Sequence, residues 1–383
     1  MTNQDYFGGP ERIAIFEPSG QPMRMGAPAE LAVSNDDRVQ QALAASDLRT
    51  AAEYIALQYE SNATMMTIYV QWPCAYLLSA AESLGEPAAL ALATAAFEHW
   101  SKAVQSIAGQ GETERRVVSL AAPLLHPELL TPAFARGIIN VFNSGQSPDY
   151  LANAMKMLNE FEARLSTSLA QGNAQEARQA YEAYFSCARS WHDVLMQYAD
   201  SFPGVAAAMH GQASAEALVE KSFSAAPFGA GLWTFGARLS PQQLAAFLLA
   251  HIREHFSGPG RKGAATLREY EDRYELIFDP CGSGGAMRRR LGAAQSRLPA
   301  ASPATFGRAG EVPPYCTHCA INARTAIARF GWPIYVTRFN PDPAMPCGWT
   351  IYKTPDAIPE QQFEEVGYAK EANGFRRGYW MTP

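Results

Sequence analysis

The chain has 383 residues, of which 48% are hydrophobic and 18% are charged, with 31 Lys and Arg against 37 Asp and Glu. This length exceeds the size at which one hydrophobic core stops growing, so two domains are expected. The formal net charge of -6 provides no basic surface for nucleic acid or an anionic membrane, and neither an export signal nor a membrane-spanning apolar run is visible. We therefore predict a cytoplasmic protein with a small-molecule ligand or substrate, no nucleic-acid partner and no membrane partner.

Residues 1–34 are rich in Gly and Pro, and prolines interrupt any helical pattern at Pro10, Pro18, Pro22 and Pro28. We predict an extended arm that lies on another surface. Residues 35–257 consist of Ala- and Leu-rich stretches with apolar residues three and four positions apart, which predicts an all-α domain of about eight helices. Turn residues predict helix breaks at 85–87, 109–111, 143–148, 172–173, 203–204 and 226–231.

A repeat with an offset of 126 residues runs through this helical domain. It aligns Asp47 with Asn173 and Gly85 with Gly211, and several aromatic positions coincide. A duplicated helical hairpin would bury the apolar stripe of each copy against the other. Chance similarity between Ala-rich helices is the alternative interpretation.

The composition changes again after the Gly/Pro segment 258–263. Short β-branched and aromatic runs predict strands at 273–279, 333–339 and 349–353, and residues 319–330 suit one helix. The predicted fold class is therefore α+β. An all-α helical domain, with an internal duplication if the repeat is real, is followed by a compact α+β zinc-binding domain at 265–383.

Four of the six cysteines lie within 67 residues of this second domain, at Cys281, Cys316, Cys319 and Cys347. A Cys-x-x-Cys pair can bind one ion from a single turn, and two further thiolates complete the tetrahedral set that Zn²⁺ favours. Without an export signal, metal-bound thiolates are more expected than disulfides. We predict a Zn²⁺ site; an iron–sulfur cluster, a redox dithiol and buried free thiols are the alternatives.

The neighbours of these cysteines point to chemistry at the ion. Backbone N–H groups that could hold an oxyanion or an anionic cofactor are expected from Gly282, Ser283, Gly284 and Gly285. Arg288 could anchor an anionic substrate, and His318 is a candidate for proton transfer, for metal ligation or for a hydrogen bond to a ligand. Alternatively, the glycines form a tight turn and residues 288–290 are solvated or pair with Asp279 and Glu311.

Two histidine segments of the helical domain are further candidates. His192 and Asp193 replace the pair Met66–Thr67 of the first repeat copy, which predicts a catalytic His192 that faces the second domain; surface drift is the alternative. Adjacent helical residues point apart, so Asp193 is expected to orient His192 only through a third group. The segment 251–255 matches the H-x-x-E-H pattern of zinc peptidases, but it runs into a Gly/Pro segment, and a helix end with cations is the favoured interpretation.

The order of helices followed by a compact cysteine-bearing α/β domain is similar to the L-2-amino-thiazoline-4-carboxylate hydrolase type of protein. The resemblance covers residues 265–383 and is one of arrangement, so it implies no role for any single residue.

These features predict a zinc-dependent enzyme, a hydrolase or a lyase, that acts on a small anionic polar molecule. The alternative is a ligand-binding or sensor module in which a four-cysteine zinc site is purely structural. Neither the substrate nor the oligomeric state follows from the sequence.

Overall fold

The computed structural model describes residues 5–143, 149–225 and 235–370. Its helices are α1 Pro28–Ala32, α2 Asn35–Ala44, α3 Leu48–Leu84, α4 Glu86–Ala103, α5 Gln105–Ala108, α6 Glu112–Leu125, α7 Pro132–Asn143, α8 Asp149–Ala170, α9 Ala174–His210, α10 Gln212–Ala225, α11 Pro241–Glu254, α12 Gly284–Leu291, α13 Thr317–Phe330 and α14 Glu360–Glu364. Its strands are β1 Arg12–Phe16, β2 Gln21–Met25, β3 Thr266–Glu269, β4 Arg273–Phe278, β5 Val336–Arg338 and β6 Cys347–Tyr352. The fold is α+β with a large helical part.

The N-terminal arm is more structured than its prolines predict. β1 and β2 pair as an antiparallel hairpin, and Gly20 adopts a φ of 72° in the turn that joins them. Pro22 is accommodated in β2 because a two-stranded hairpin leaves one edge of each strand unpaired. The described part of the predicted arm is therefore extended in these two strands, and it also contains the short helix α1.

The long helices α3 and α9 have the relationship that the repeat predicts. Each has 37 residues, and their bounds differ by the offset of 126. The side chains of Asp47 and Asn173 cap the two N-termini by accepting a hydrogen bond from the backbone N–H three residues on. Gly85 and Gly211 end the helices with φ of 87° and 84°. The repeat thus corresponds to two helices of equal length with equivalent caps.

The predicted break at 203–204 was wrong, because α9 continues through Pro203 to His210. A proline inside a helix removes one N–H and costs about 3 kcal/mol in an exposed position. Tertiary packing outweighs this cost here. Phe202 is fully buried, and its ring stacks on Tyr76 of α3 with 5.4 Å between the ring centroids.

The C-terminal part contains a four-stranded antiparallel sheet with the strand order β3-β4-β6-β5. The three predicted strands are present with shifted bounds, but β3 was not predicted because it is a short edge strand with three exposed residues among its four. The predicted helix 319–330 begins two residues earlier, at Thr317. Phe278 pairs with Cys347 in the β4–β6 register, which brings the start of β6 beside the turn that follows β4.

Buried hydrophobic side chains from the arm, the helices and the sheet form one continuous core cluster in the described ranges. α11 contacts β2, α3, β4 and β6 and therefore joins all three regions. Throughout the described residues, no helix has both the length and the apolar character needed to cross a membrane.

Candidate functional site

A cavity of about 500 Å³ lies where the helices meet the sheet. Side chains of α3 and α11 line part of it, residues 21–24 of the arm line another part, and the segments after β4 and around α13 and β6 complete it. The lining surface is largely apolar, and polar groups converge at a few places. A concave, largely apolar space with convergent polar groups is typical of small-molecule sites.

All four cysteines of the predicted metal site line this one cavity, and they reach it from three segments. Cys281 follows β4 after the cis Asp279–Pro280 bond, Cys316 and Cys319 lie at the start of α13, and Cys347 is the first residue of β6. The cysteines are free thiols. The four cysteines that the sequence singles out thus line the same cavity.

Cys316 is buried, and Cys281, Cys319 and Cys347 are half-buried. Burial raises the pKa of Cys316 and of Cys319 well above its usual value, and neighbouring cysteines add to the effect. Burial and Cys281 also raise the pKa of Cys347. Within the described residues, no group of three or more His, Cys, Asp or Glu side chains is arranged to hold a metal ion. The Zn²⁺ site stays a prediction, and binding by all four sulfurs requires the side chains to turn towards a common centre.

Arg288 is the inward-facing arginine of the 288–290 cluster. It lines the cavity and is only 1% exposed. Its Nη1 donates to the backbone carbonyl of Asn340, and its Nη2 lies 3.7 Å from Cys347 Sγ. Arg289 instead pairs with Asp279, as the alternative interpretation expected.

The segment 282–285 runs from the turn after β4 into the start of α12, and it packs against the residues that follow α11. A Cβ atom on Gly282 would lie 1.6 Å from the carbonyl oxygen of His255, so only glycine fits there. A Cβ atom on Gly284 would lie 2.6 Å from Cys316 Sγ, and one on Gly285 would lie 3.0 Å from Cys281 Cβ. The glycines are therefore needed for close packing, and two of them make room for cysteines.

Ser283 is the polar centre of this turn. Its hydroxyl lies 2.8 Å from Nε2 of His192 and 2.7 Å from Nδ1 of His255. His192 is fully buried behind Ser283, whereas Ser283 itself lines the cavity. His192 thus reaches the cavity through a serine hydroxyl.

Asp193 contacts His192 directly, which corrects the expectation that a third group would be needed. His192 Nδ1 lies 2.8 Å from Asp193 Oδ1. The guanidinium of Arg261 pairs with Asp193 and also lies 3.4 Å from Nδ1 of His192. Burial alone would raise the pKa of Asp193, but Arg261 and the hydrogen bond from His192 hold this pKa well below its usual value. Burial lowers the pKa of His192, so the pair is an ionised carboxylate beside a neutral imidazole.

His318 lies among aromatic rings on the Cys316–Cys319 turn. Its ring stacks on Phe223 at an interplanar angle of 7°, and its Nδ1 lies 2.5 Å from the carbonyl oxygen of Tyr315. Nδ1 therefore carries the proton, and Nε2 lies 3.4 Å from Cys319 Sγ as an acceptor. Burial lowers the pKa of His318 to about 4, so the ring is neutral near pH 7.

The sequence interpretation did not place His251 and His255 in the site. His251 lies in the last turn of α11 and His255 caps it, as expected for a helix end, yet both also line the cavity. The H-x-x-E-H spacing was the available signal, since residues four apart share a helix face. Arg261 had no signal of this kind, because its partner Asp193 is 68 residues away in the chain.

Searches against protein-family models, curated proteins and solved structures found no match to this chain.

Proposed function

We propose that the chain is a zinc-dependent enzyme, a hydrolase or a lyase, that acts on a small molecule inside the cavity. The observation that carries the proposal is that four cysteines and the buried cation of Arg288 line one cavity. The cavity is lined on other sides by Ser283 and three histidines, which can exchange protons with a bound molecule.

The buried positive charge of Arg288 supports the proposal that the cysteines bind a metal ion as thiolates. A buried guanidinium is costly unless a negative charge offsets it. No carboxylate of the described residues pairs with Arg288. Its hydrogen-bond acceptors are backbone carbonyls and Cys347 Sγ, and its guanidinium lies over the Phe339 ring, 5.1 Å from the ring centroid. A Zn²⁺ ion held by four thiolates carries a net charge of about -2, which a neighbouring guanidinium would stabilise.

Bound zinc would supply a Lewis acid and, with three protein ligands, a water whose pKa falls to about 7. The residues expected to hold the ion are Cys281, Cys316 and Cys319, with Cys347 as a fourth ligand or one displaced by substrate.

The chain's own residues would accept a proton that the reaction releases. Asp193 accepts a hydrogen bond from Nδ1 of His192, so Nε2 of His192 is an acceptor, and Ser283 donates to Nε2 from the cavity side. A proton released in the cavity can therefore reach His192 through Ser283. The backbone N–H groups of Gly284 and Gly285 begin α12 and have no acceptor among the described residues, so they are available to a developing negative charge.

A second candidate is a binding module whose zinc site is closed. The largely apolar and aromatic lining, including Trp72, Phe278 and Trp349, favours this function because it suits a ligand held by shape. The substrate of the enzyme would, for the same reason, combine a polar or anionic group with an apolar body.

Cobalt substitution tests both candidates. We expect the Co²⁺-loaded protein to show intense sulfur-to-metal absorption that Cys316→Ser weakens and that Cys74→Ala, a cysteine of α3 outside the cavity lining, leaves unchanged. In the enzyme, added acetate or a small thiol should alter the ligand-field bands, because a position is open. Ligand-field bands that do not change with either additive would contradict the enzyme and favour the binding module. Absence of sulfur-to-cobalt absorption would contradict a cysteine metal site in both proposals.

A further inference from the structure

The imidazoles of His251 and His255 face each other at the end of α11. Their Nε2 atoms are 3.2 Å apart, and both rings line the cavity. The ring of His251 also stacks on Trp349 at an interplanar angle of 21°, so its orientation is fixed by packing. What lies between the two nitrogens depends on where each ring carries its proton.

A chain of hydrogen bonds places the proton of His255 on Nδ1. Ionised Asp193 can only accept, so Nδ1 of His192 donates and Nε2 of His192 accepts from the Ser283 hydroxyl. Having given its proton to His192, Ser283 can only accept from Nδ1 of His255, at 2.7 Å. Nε2 of His255 therefore carries a lone pair.

The carboxylate of Glu254 gives His251 the same tautomer. Its Oε2 lies 3.5 Å from Nδ1 of His251, and a carboxylate favours an N–H on the nitrogen that faces it. Nε2 of His251 then also carries a lone pair. Two lone pairs directed at each other across 3.2 Å repel unless a positive charge lies between them.

We propose that His251 and His255 bind one divalent transition-metal ion, of the zinc type, through their Nε2 atoms. Two nitrogens about 2.0 to 2.1 Å from a tetrahedral ion are about 3.3 Å apart, close to the separation observed here. A hydrogen-bonded partner on Nδ1 is the usual feature of metal-binding histidines. Ser283 supplies it for His255, and the carboxylate of Glu254 lies 3.5 Å from Nδ1 of His251.

The remaining positions of this ion would be open to the cavity. No third His, Cys, Asp or Glu of the described residues joins the pair in a metal-binding arrangement, so water or a bound molecule would complete the coordination. Its ligands are different residues from the four cysteines, so the proposal stands whether or not the cysteines bind zinc.

Equilibrium dialysis against Zn²⁺, followed by elemental analysis, tests the proposal on the full chain. We expect His251→Asn and His255→Asn to bind one ion per chain fewer than wild type, whereas His210→Asn, at the exposed end of α9, binds as many as wild type. Ser283→Ala keeps both ligands but removes the partner of His255, so its Kd at this site should rise by about 10- to 100-fold. Cys316→Ser should retain the histidine-bound ion, which separates this site from the cysteine cluster.

A measurement on wild type covers the case in which the histidine variants fail to fold. In ¹H–¹⁵N spectra of the imidazoles, zinc should shift the Nε2 resonances of both rings while the proton stays on Nδ1. The proposal is overturned if both histidine variants bind as much zinc as wild type. It is equally overturned if the wild-type spectra show a proton on Nε2 of His251 that zinc does not displace.

Discussion

Two carboxylates of α9, seven residues apart, show how local partners decide a charge state. Asp193 is held ionised by Arg261 and His192 despite its burial. Asp200 is buried to a similar extent, but it accepts hydrogen bonds only from the backbone N–H of Tyr315 and from Gln295. Burial raises the pKa of Asp200 to about 6. Only the first carboxylate is therefore fully charged throughout the neutral range.

Asp200→Asn should make the protein more stable at about pH 8 and leave its stability almost unchanged near pH 4. A folded-state pKa raised from the usual 3.8 to about 6 stabilises the fold below pH 4, and this contribution is lost as the pH rises through 6. The loss in wild type is about 3 kcal/mol. Asparagine retains the Oδ1 acceptor for both donors and does not titrate.

Urea unfolding of wild type and Asp200→Asn at the two pH values measures this difference. If Asp200→Asn raises the free energy of unfolding equally at both pH values, Asp200 does not titrate between them.

At the scale of elements, the contact between α11 and the turn before α12 positions the site. Gly282 packs on the carbonyl of His255, and its N–H donates to Ser257 Oγ at 3.1 Å. Its carbonyl accepts from Arg261, the residue that holds Asp193. One glycine therefore keeps Ser283 within reach of both His192 and His255.

Gly282→Ala should destabilise the fold by at least about 3 kcal/mol, because the new Cβ would lie 1.6 Å from a backbone oxygen that cannot move without shifting α11. Gly137→Ala is the matched control. Gly137 is exposed within α7, and a Cβ there meets nothing within 4 Å, so this change should stabilise by about 0.5 to 1 kcal/mol. Thermal unfolding of both variants provides the comparison, and wild-type stability for Gly282→Ala would contradict the close packing.

The elements that sequence predicts best are those with local signals. Asp47 and Asn173 cap α3 and α9 through their own side chains, so both helix starts could be predicted. The break expected at Pro203 was wrong because burial of α9 against α3 and its neighbours outweighs a local preference. β3 depends on pairing with β4, which its own residues do not indicate.

In the candidate site, too, local sequence signals could be predicted and long-range contacts could not. The four cysteines could be grouped in advance because metal ligation has a characteristic spacing. The hydrogen bond between His192 and Ser283 joins residues 91 positions apart, and no local pattern predicts it. Ser283 was expected to offer its backbone N–H, whereas its hydroxyl makes the contacts that organise the histidines.

At the scale of the whole molecule, the cavity is built jointly by the arm, by several of the helices and by the sheet. The arm, α3, α11 and the sheet all contribute lining side chains, and one core cluster connects them. A metal ion bound at the cysteines would therefore link β4, α13 and β6 directly, and its binding free energy would add to the stability of the fold. The central claim is that these four cysteines share an ion.

Titration of thiols in the native protein, before and after a chelator, tests this claim most directly. Two of the six cysteines, Cys74 and Cys187, lie within helices, where burial raises each pKa to about 12, so they should react only after unfolding. Cys281, Cys316, Cys319 and Cys347 differ from these two because they line the cavity. We predict that the four react slowly in zinc-loaded protein and that all four react faster, and together, when the chelator removes the ion. Four thiols that react at the same rate with and without chelator, in protein that contains no zinc, would contradict the account.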